Sequence, residues 1–213
     1  MRAVPLGDSA IAIVLGAERS TELLNRVHAT AAALGAERLA EVQDIVPAYL
    51  GVAVFYDSLQ ASFSDVAAKL LAICDRRTAL IADSDKIREH EISVTYDGAD
   101  LAQVSASTGL SVDEVIARHS SRLYSVDLLG FVPGFAYLSE LDSALQLPRR
   151  SQPRPRVPAG SVAIAGAQTA VYSLDTPGGW HIIGRTDRVM FDPSRDPPAL
   201  LSAGDMVRFV PAP

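Results

Sequence analysis

The chain has 213 residues, 48% of them hydrophobic and 21% charged, enough to bury one sizeable core or two modest ones and too apolar for a disordered segment. A net charge of −6 and a pI of about 5.2 argue against a general nucleic-acid binder and against a protein drawn to acidic membranes. No basic n-region with an apolar h-region opens the chain, and no apolar run approaches the ~20 residues of a membrane helix, so a soluble cytoplasmic protein is expected.

Strands and helices alternate through the first ninety residues. Gly7-Asp8-Ser9 is a turn signal ahead of a strand over 10–15; its place before a strand at the start of the chain argues against a nucleophile elbow. An alanine-rich amphipathic helix follows over 21–34, closed by Gly35. Strands are predicted over 42–46 and 50–56, and a second helix over 64–75 with Ser62 or Ser64 as its cap. Cys74, the only cysteine, lies in the apolar part of that helix and reads as a small core residue in a reducing compartment. Two strand-helix units on one side of a small sheet make an α+β domain over residues 1–88, suited to scaffold or interface.

The polar stretch 83–91 is the expected boundary, and residues 89–213 form the second domain. It opens with a strand over 92–96 and a short helix over 101–107. Ser111 and Glu114 then have the spacing of a capping box, starting a helix that ends near His119. From Leu123 onward the pattern turns to short strands, over 124–129, 162–165, 170–174, 180–184, 189–191 and 206–210, separated by Gly and Pro. That rhythm predicts a closed or nearly closed antiparallel β-barrel or a sandwich. Val132-Pro133-Gly134-Phe135 reads as a type II turn, and Thr176-Pro177-Gly178-Gly179 repeats its chemistry.

The common catalytic signatures are missing. The sequence has no phosphate loop of the G-x-x-x-x-G-K-[ST] type and no G-x-S-x-G elbow. His28, His90, His119 and His181 lack metal-ligand spacing, so no metal is expected, and neither Lys69 nor Lys86 stands beside a serine-rich nucleophile loop.

What remains is polar groups on rigid turns. Arg149, Arg150, Arg154 and Arg156, stiffened by Pro153 and Pro155, form either a fork for carboxylate or phosphate or a set of solvated and salt-bridged side chains. His119 sits at a helix carbonyl end, which favours its protonated form, and from the residues alone it reads as a capping or core histidine. Gln168 and Thr169 offer an amide and a hydroxyl beside a run of small residues, suited to orienting a lactam or urea-like group, or a polar turn. Trp180 is either a barrel plug or a stacking wall, and Phe131, Phe135 and Tyr137 are core, ligand wall or subunit contact.

Four motifs occur in order: GFVPGFAYL from Gly130, PRRSQPRPRVPAGSV from Pro148, AGAQT from Ala165 and TPGGWHIIGRT from Thr176. Together they resemble the KipI family, also called the B subunit of bacterial 5-oxoprolinase and often labelled allophanate hydrolase subunit 1. The resemblance runs through nearly the whole chain. It implies that the barrel is cyclophilin-like and that the chain joins a KipA-like and a LamB/YcsF-like subunit in a hetero-oligomeric hydrolase that opens 5-oxoproline to glutamate at the expense of ATP. Within that assembly it implies a proton-moving role for His119, substrate carboxylate or phosphoryl binding by Arg149, Arg150, Arg154 and Arg156, and amide orientation by Gln168 and Thr169 beside Trp180. The ATP is implied for the assembly, with no site evident in this chain. The family implies two alternatives, an inhibitor of a sensor histidine kinase and a module like the carboxyltransferase part of urea carboxylase. Ala136, Ala167 and Ser125-Val126-Asp127 depart from the family pattern, and the methyl of Ala167 narrows backbone access to a ligand.

Overall fold

A computed structural model describes residues 1–77 and 88–212, in two compact units, Met1–Lys86 and Ile87–Pro213. Most of the expected boundary stretch, 83–91, lies outside the described residues.

In the first unit, β1 (Arg2–Pro5), β2 (Ala10–Val14), β3 (Val42–Ala48) and β4 (Gly51–Tyr56) form an antiparallel sheet in the order β1-β2-β4-β3. Strand alternation sends Ile11, Ile13, Val52, Val54 and Tyr56 to one face, where α1 (Thr21–Ala36) and α2 (Phe63–Arg77) bury Val27, Leu34, Val66 and Leu70 against them. Ser20 caps α1 by accepting from Leu23 N, and Ser62 accepts from Asp65 N at the start of α2. Gly35 does not close α1: the helix runs one residue further, and Arg38 adopts the left-handed conformation (φ 47°) beyond it. Cys74 is buried, which pushes its thiol pKa up. The four-residue edge strand β1, with Pro5 and little alternation, carries too weak a pattern to be predicted.

The second unit contains β5 (Glu89–Val94), α3 (Leu101–Thr108), α4 (Val112–Ser120), β6 (Leu123–Leu129), β7 (Ala136–Ser139), β8 (Arg154–Val157), β9 (Ser161–Ala165), β10 (Gln168–Val171), β11 (Thr176–Gly178), β12 (His181–Arg185) and β13 (Met206–Pro211). Seven strands make one sheet in the order β12-β9-β10-β7-β6-β13-β5. Its ends meet where Thr95 and Arg185 exchange backbone hydrogen bonds of 2.9 Å, so the sheet is a nearly closed barrel. The barrel is mixed rather than wholly antiparallel, because β13, the last strand, pairs parallel with β5, the first. α3 packs on β12 and α4 on β13.

Strands β9, β10 and β12 of the barrel wall each serve two layers. Val162, Ile164, Leu138, Tyr124, Val126 and Val171 enter one core. Their neighbours Ala163, Ala165 and Ala170 face a second cluster with Phe135, Tyr172, Trp180 and Val157. The alanines leave room there for the large rings of that cluster.

Two sequence expectations change here. Thr176–Gly178 is a strand paired with β8 instead of a turn, and Gly178 is required because a Cβ would fall 2.1 Å from the Tyr172 hydroxyl. Residues 189–191 give only a single bridge, Phe191 to Ala199. The Val132–Phe135 turn forms as expected, with Gly134 at φ 72° and Phe135 N donating to Val132 O.

Barrel closure also depends on Gly98, whose Cβ would lie 2.3 to 2.5 Å from the backbone of residues 182–184. Gly98→Ala is expected to lower the thermal stability of this unit by about 1–3 kcal/mol through overpacking. Trp180 emission reads it directly, since the only tryptophan lies in this unit.

Candidate functional site

α4 sets the first polar group. The capping box of Ser111 and Glu114 fixes where the helix begins, and the i, i+4 spacing of Val115 and His119 brings both to the barrel core with no solvent exposure. Tyr96 Oη lies 2.7 Å from His119 Nδ1, His119 Nε2 lies 2.8 Å from Thr169 Oγ1, and Thr169 donates to the Ala163 carbonyl over 3.1 Å. Thr169 has one proton and gives it to Ala163, so His119 Nε2–H donates to Thr169 and Nδ1 accepts from Tyr96. The ring stacks on Phe209 at 4.6 Å. Burial pushes the His119 pKa down to about 3, so the helix-end expectation of a protonated ring is overturned: no carboxylate offsets the lost hydration, and the ring is neutral. Both ring nitrogens are used inside the barrel.

Thr169 and Gln168, expected to act together, are separated by strand alternation. Thr169 faces His119, whereas Gln168 Nε2 lies 3.4 Å from Asp127 Oδ2 on the other side of the sheet. Asp127 is 1% exposed, sits at the irregularity between Val126 and Leu128, and accepts a hydrogen bond from the Ser139 hydroxyl.

Asp100 organises the arginine run. Its Oδ1 accepts from Arg150 Nη1 at 2.6 Å and from Arg154 Nη2 at 2.8 Å, and its Oδ2 accepts from Arg154 Nη1 and the Ile182 amide, each at 2.8 Å. Burial acts to raise the Asp100 pKa, but the Arg154 hydrogen bonds, the Ile182 N–H and the two guanidinium charges outweigh it and hold the carboxyl below its ordinary value. Arg156 pairs instead with the exposed Asp175. Arg149 makes no ion pair among the described residues; it lines a cleft of about 390 Å³ with Gln103, Ser107, Arg150, Gln152 and His181.

The structure therefore brings Arg149 and Arg150 to one cleft, ties Arg154 beneath it, and leaves Arg156 at the surface. Trp180 takes the plug role: it is 5% exposed and meets Phe135 and Tyr137 edge to face. Asp100, Asp127, Tyr96 and His181 escaped the sequence reading as site residues. For Asp100 the available signal was an acidic residue at the start of a helix; for His181 it was the WHIIG motif itself. Among the described residues no group of three or more His, Cys, Asp or Glu side chains could hold a metal ion, and no helix is long and apolar enough to cross a membrane.

Comparison with known proteins gives this geometry a family. The chain is 40% identical to the 5-oxoprolinase B subunit of Bacillus subtilis (strain 168), over 96% of this chain and 90% of that one. It is 46% identical to the 5-oxoprolinase B subunit of Escherichia coli O157:H7, over 83% of this chain and 82% of that one. The crystal structure of TTHA0988 superposes with a TM-score of 0.84 at 40% identity over 96% of this chain, which spans only 40% of that longer polypeptide. Residues 1–201 match the model of the carboxyltransferase domain, subdomain C and D. The chain belongs to that carboxyltransferase subdomain C and D family.

Proposed function

We propose that this chain is the B subunit of a cytoplasmic 5-oxoprolinase that works with a KipA-like and a LamB/YcsF-like subunit to convert 5-oxo-L-proline, ATP and water to L-glutamate, ADP and phosphate. The observation that carries the reading is the 40% identity to a protein of that name over nearly the full length of both chains. Local chemistry supports it: the cleft holds a guanidinium with no carboxylate of its own, matching a substrate that carries one.

The arginine run, as the described residues hold it, is not by itself a cradle for a nucleoside triphosphate. Arg150 and Arg154 share the single carboxylate of Asp100 and Arg156 pairs with Asp175, so of the four arginines only Arg149 has no acidic partner among the described residues. No step through the nucleotide is assigned to this chain. Here Arg149 meets the substrate, Arg150 and Arg154 hold the cleft through Asp100, and His119, Thr169 and Gln168 keep the barrel wall in place.

The three subunits, co-expressed and purified together, are expected to release glutamate from 5-oxoproline only when ATP and all three chains are present. Unchanged turnover from the other two chains alone would remove this chain from the enzyme. No turnover from a complete, nucleotide-binding assembly would overturn the substrate.

A further inference from the structure

Two polar atoms in residues lining the Arg149 cleft lack partners. His181 Nε2 lies 2.9 Å from the Pro148 carbonyl oxygen, which can only accept, so this nitrogen carries the proton. In the neutral ring Nδ1 is then a lone pair, and it has no hydrogen-bond partner although His181 is only 7% exposed. Arg150 is the counterpart: Nη1 is engaged by Asp100, while the Nε–H donor is sealed from solvent with no acceptor. Buried polar atoms are seldom left unpaired in native proteins, so an unmatched acceptor and an unmatched donor beside one cleft call for a ligand that supplies both.

A lactam has that pattern. Its ring forces the N–H and the C=O onto the same edge, so one small group offers a donor and an acceptor together. We propose that the cleft recognises a lactam bearing a carboxylate, with the ring N–H donating to His181 Nδ1, the ring carbonyl accepting from Arg150 Nε–H, and the carboxylate pairing with Arg149. This deepens the 5-oxoprolinase reading and rests on it for the choice of ligand. Both unpaired atoms are buried in the free chain, so binding as proposed requires the segment 146–153 to yield as the ligand enters. That segment belongs to no helix or strand and is tethered by Gly166 N to Leu147 O and by Arg150 N to Gly179 O. Asp100 positions both arms, since it holds Arg150 by its guanidinium and accepts from Ile182 N, next to His181.

The test is equilibrium dialysis of radiolabelled 5-oxo-L-proline against the full chain and against the three-subunit complex, with 2-pyrrolidone as competitor and KM measured in the complex. His181→Gln retains a donor for Pro148 while deleting the Nδ1 acceptor, and Arg149→Gln changes an exposed residue outside the core. Each variant is expected to weaken 5-oxoproline binding by about tenfold or more, because a site built around a polar group discriminates strongly against its loss. The inhibition constant of 2-pyrrolidone, which lacks the carboxylate, is expected to rise after His181→Gln and to stay unchanged after Arg149→Gln. Wild-type affinity in both variants, or no binding by the wild type in either form, overturns the proposal. A complex that turns over 5-oxoproline with KM unchanged by both substitutions removes the cleft and leaves the enzyme reading. A complex inactive on 5-oxoproline whose binding is lost in both variants removes the enzyme reading and leaves the cleft.

Discussion

His119→Ala is expected to lower the stability of the barrel unit by about 3–5 kcal/mol, the range of a large buried side chain removed together with its hydrogen bonds. The substitution opens a cavity beside Phe209 and leaves the partly buried Tyr96 and the buried Thr169 without their shared hydrogen-bond partner. The same ring governs an acid limb. Its folded pKa of about 3 lies below the ordinary 6.5, so the unfolded chain takes up the proton first as pH falls. Stability is therefore full above about pH 6.5 and falls towards pH 3 by about 1.4 kcal/mol per pH unit from this group alone. The groups packed around it do not reverse the sign: Tyr96 and Tyr124 are held neutral by burial, and Thr169 and Phe209 do not titrate. His119→Gln is neutral throughout, and urea unfolding followed by Trp180 emission at pH 7, 5.5 and 4.5 is expected to give a shallower loss than in the wild type. Equal slopes would mean that the ring is not buried in its neutral form.

Local rules carried the elements whose causes are local. The Ser111 and Glu114 capping box, the β-branched runs of β2 and β4 and the Gly134 turn were all readable because each depends on residues within a few positions of one another. Thr176-Pro177-Gly178 failed for the complementary reason: its glycine answers to the Tyr172 hydroxyl and its strand to β8, about twenty residues upstream in the sequence. The parallel pairing of β5 with β13 joins residues more than a hundred apart, and no window of sequence contains it. The site divides in the same way. The arginine run was plain as a charge cluster, but its principal partner Asp100 lies fifty residues earlier, and that partner decides which guanidinium is left for a ligand. The opposed facing of Gln168 and Thr169 follows from strand alternation once β10 begins at Gln168, two positions before the expected start. The charge state of His119 was misread because a helix-end rule applies to exposed ends, whereas this end is buried.

Asp100→Ala is expected to cost the barrel unit about 3–5 kcal/mol, because breaking one side of a buried ion pair strands the other. Asp100 is 2% exposed, whereas the side chains of Arg150 and Arg154 keep about a quarter of their exposure and recover part of their hydration when released, which argues for the lower end of that range. Asp100→Asn retains an acceptor for Ile182 N and loses less. The pH window differs from that of His119: the Asp100 carboxyl is held below its ordinary 3.8, so its contribution is present above that value and disappears as pH falls through the lower folded pKa. Combining Asp100→Asn with Arg154→Gln is expected to cost less than the sum of the two single substitutions, since each alone breaks the same pair. In the three-subunit assembly proposed above, Asp100→Asn is also expected to raise KM for 5-oxoproline more than it lowers kcat, because Arg150 and the strand carrying His181 lose a common anchor. A stability cost below about 1 kcal/mol for Asp100→Ala would place the carboxylate among ordinary surface ion pairs and remove its organising role. A large cost with an unchanged KM would keep Asp100 as a structural anchor and separate it from the cleft.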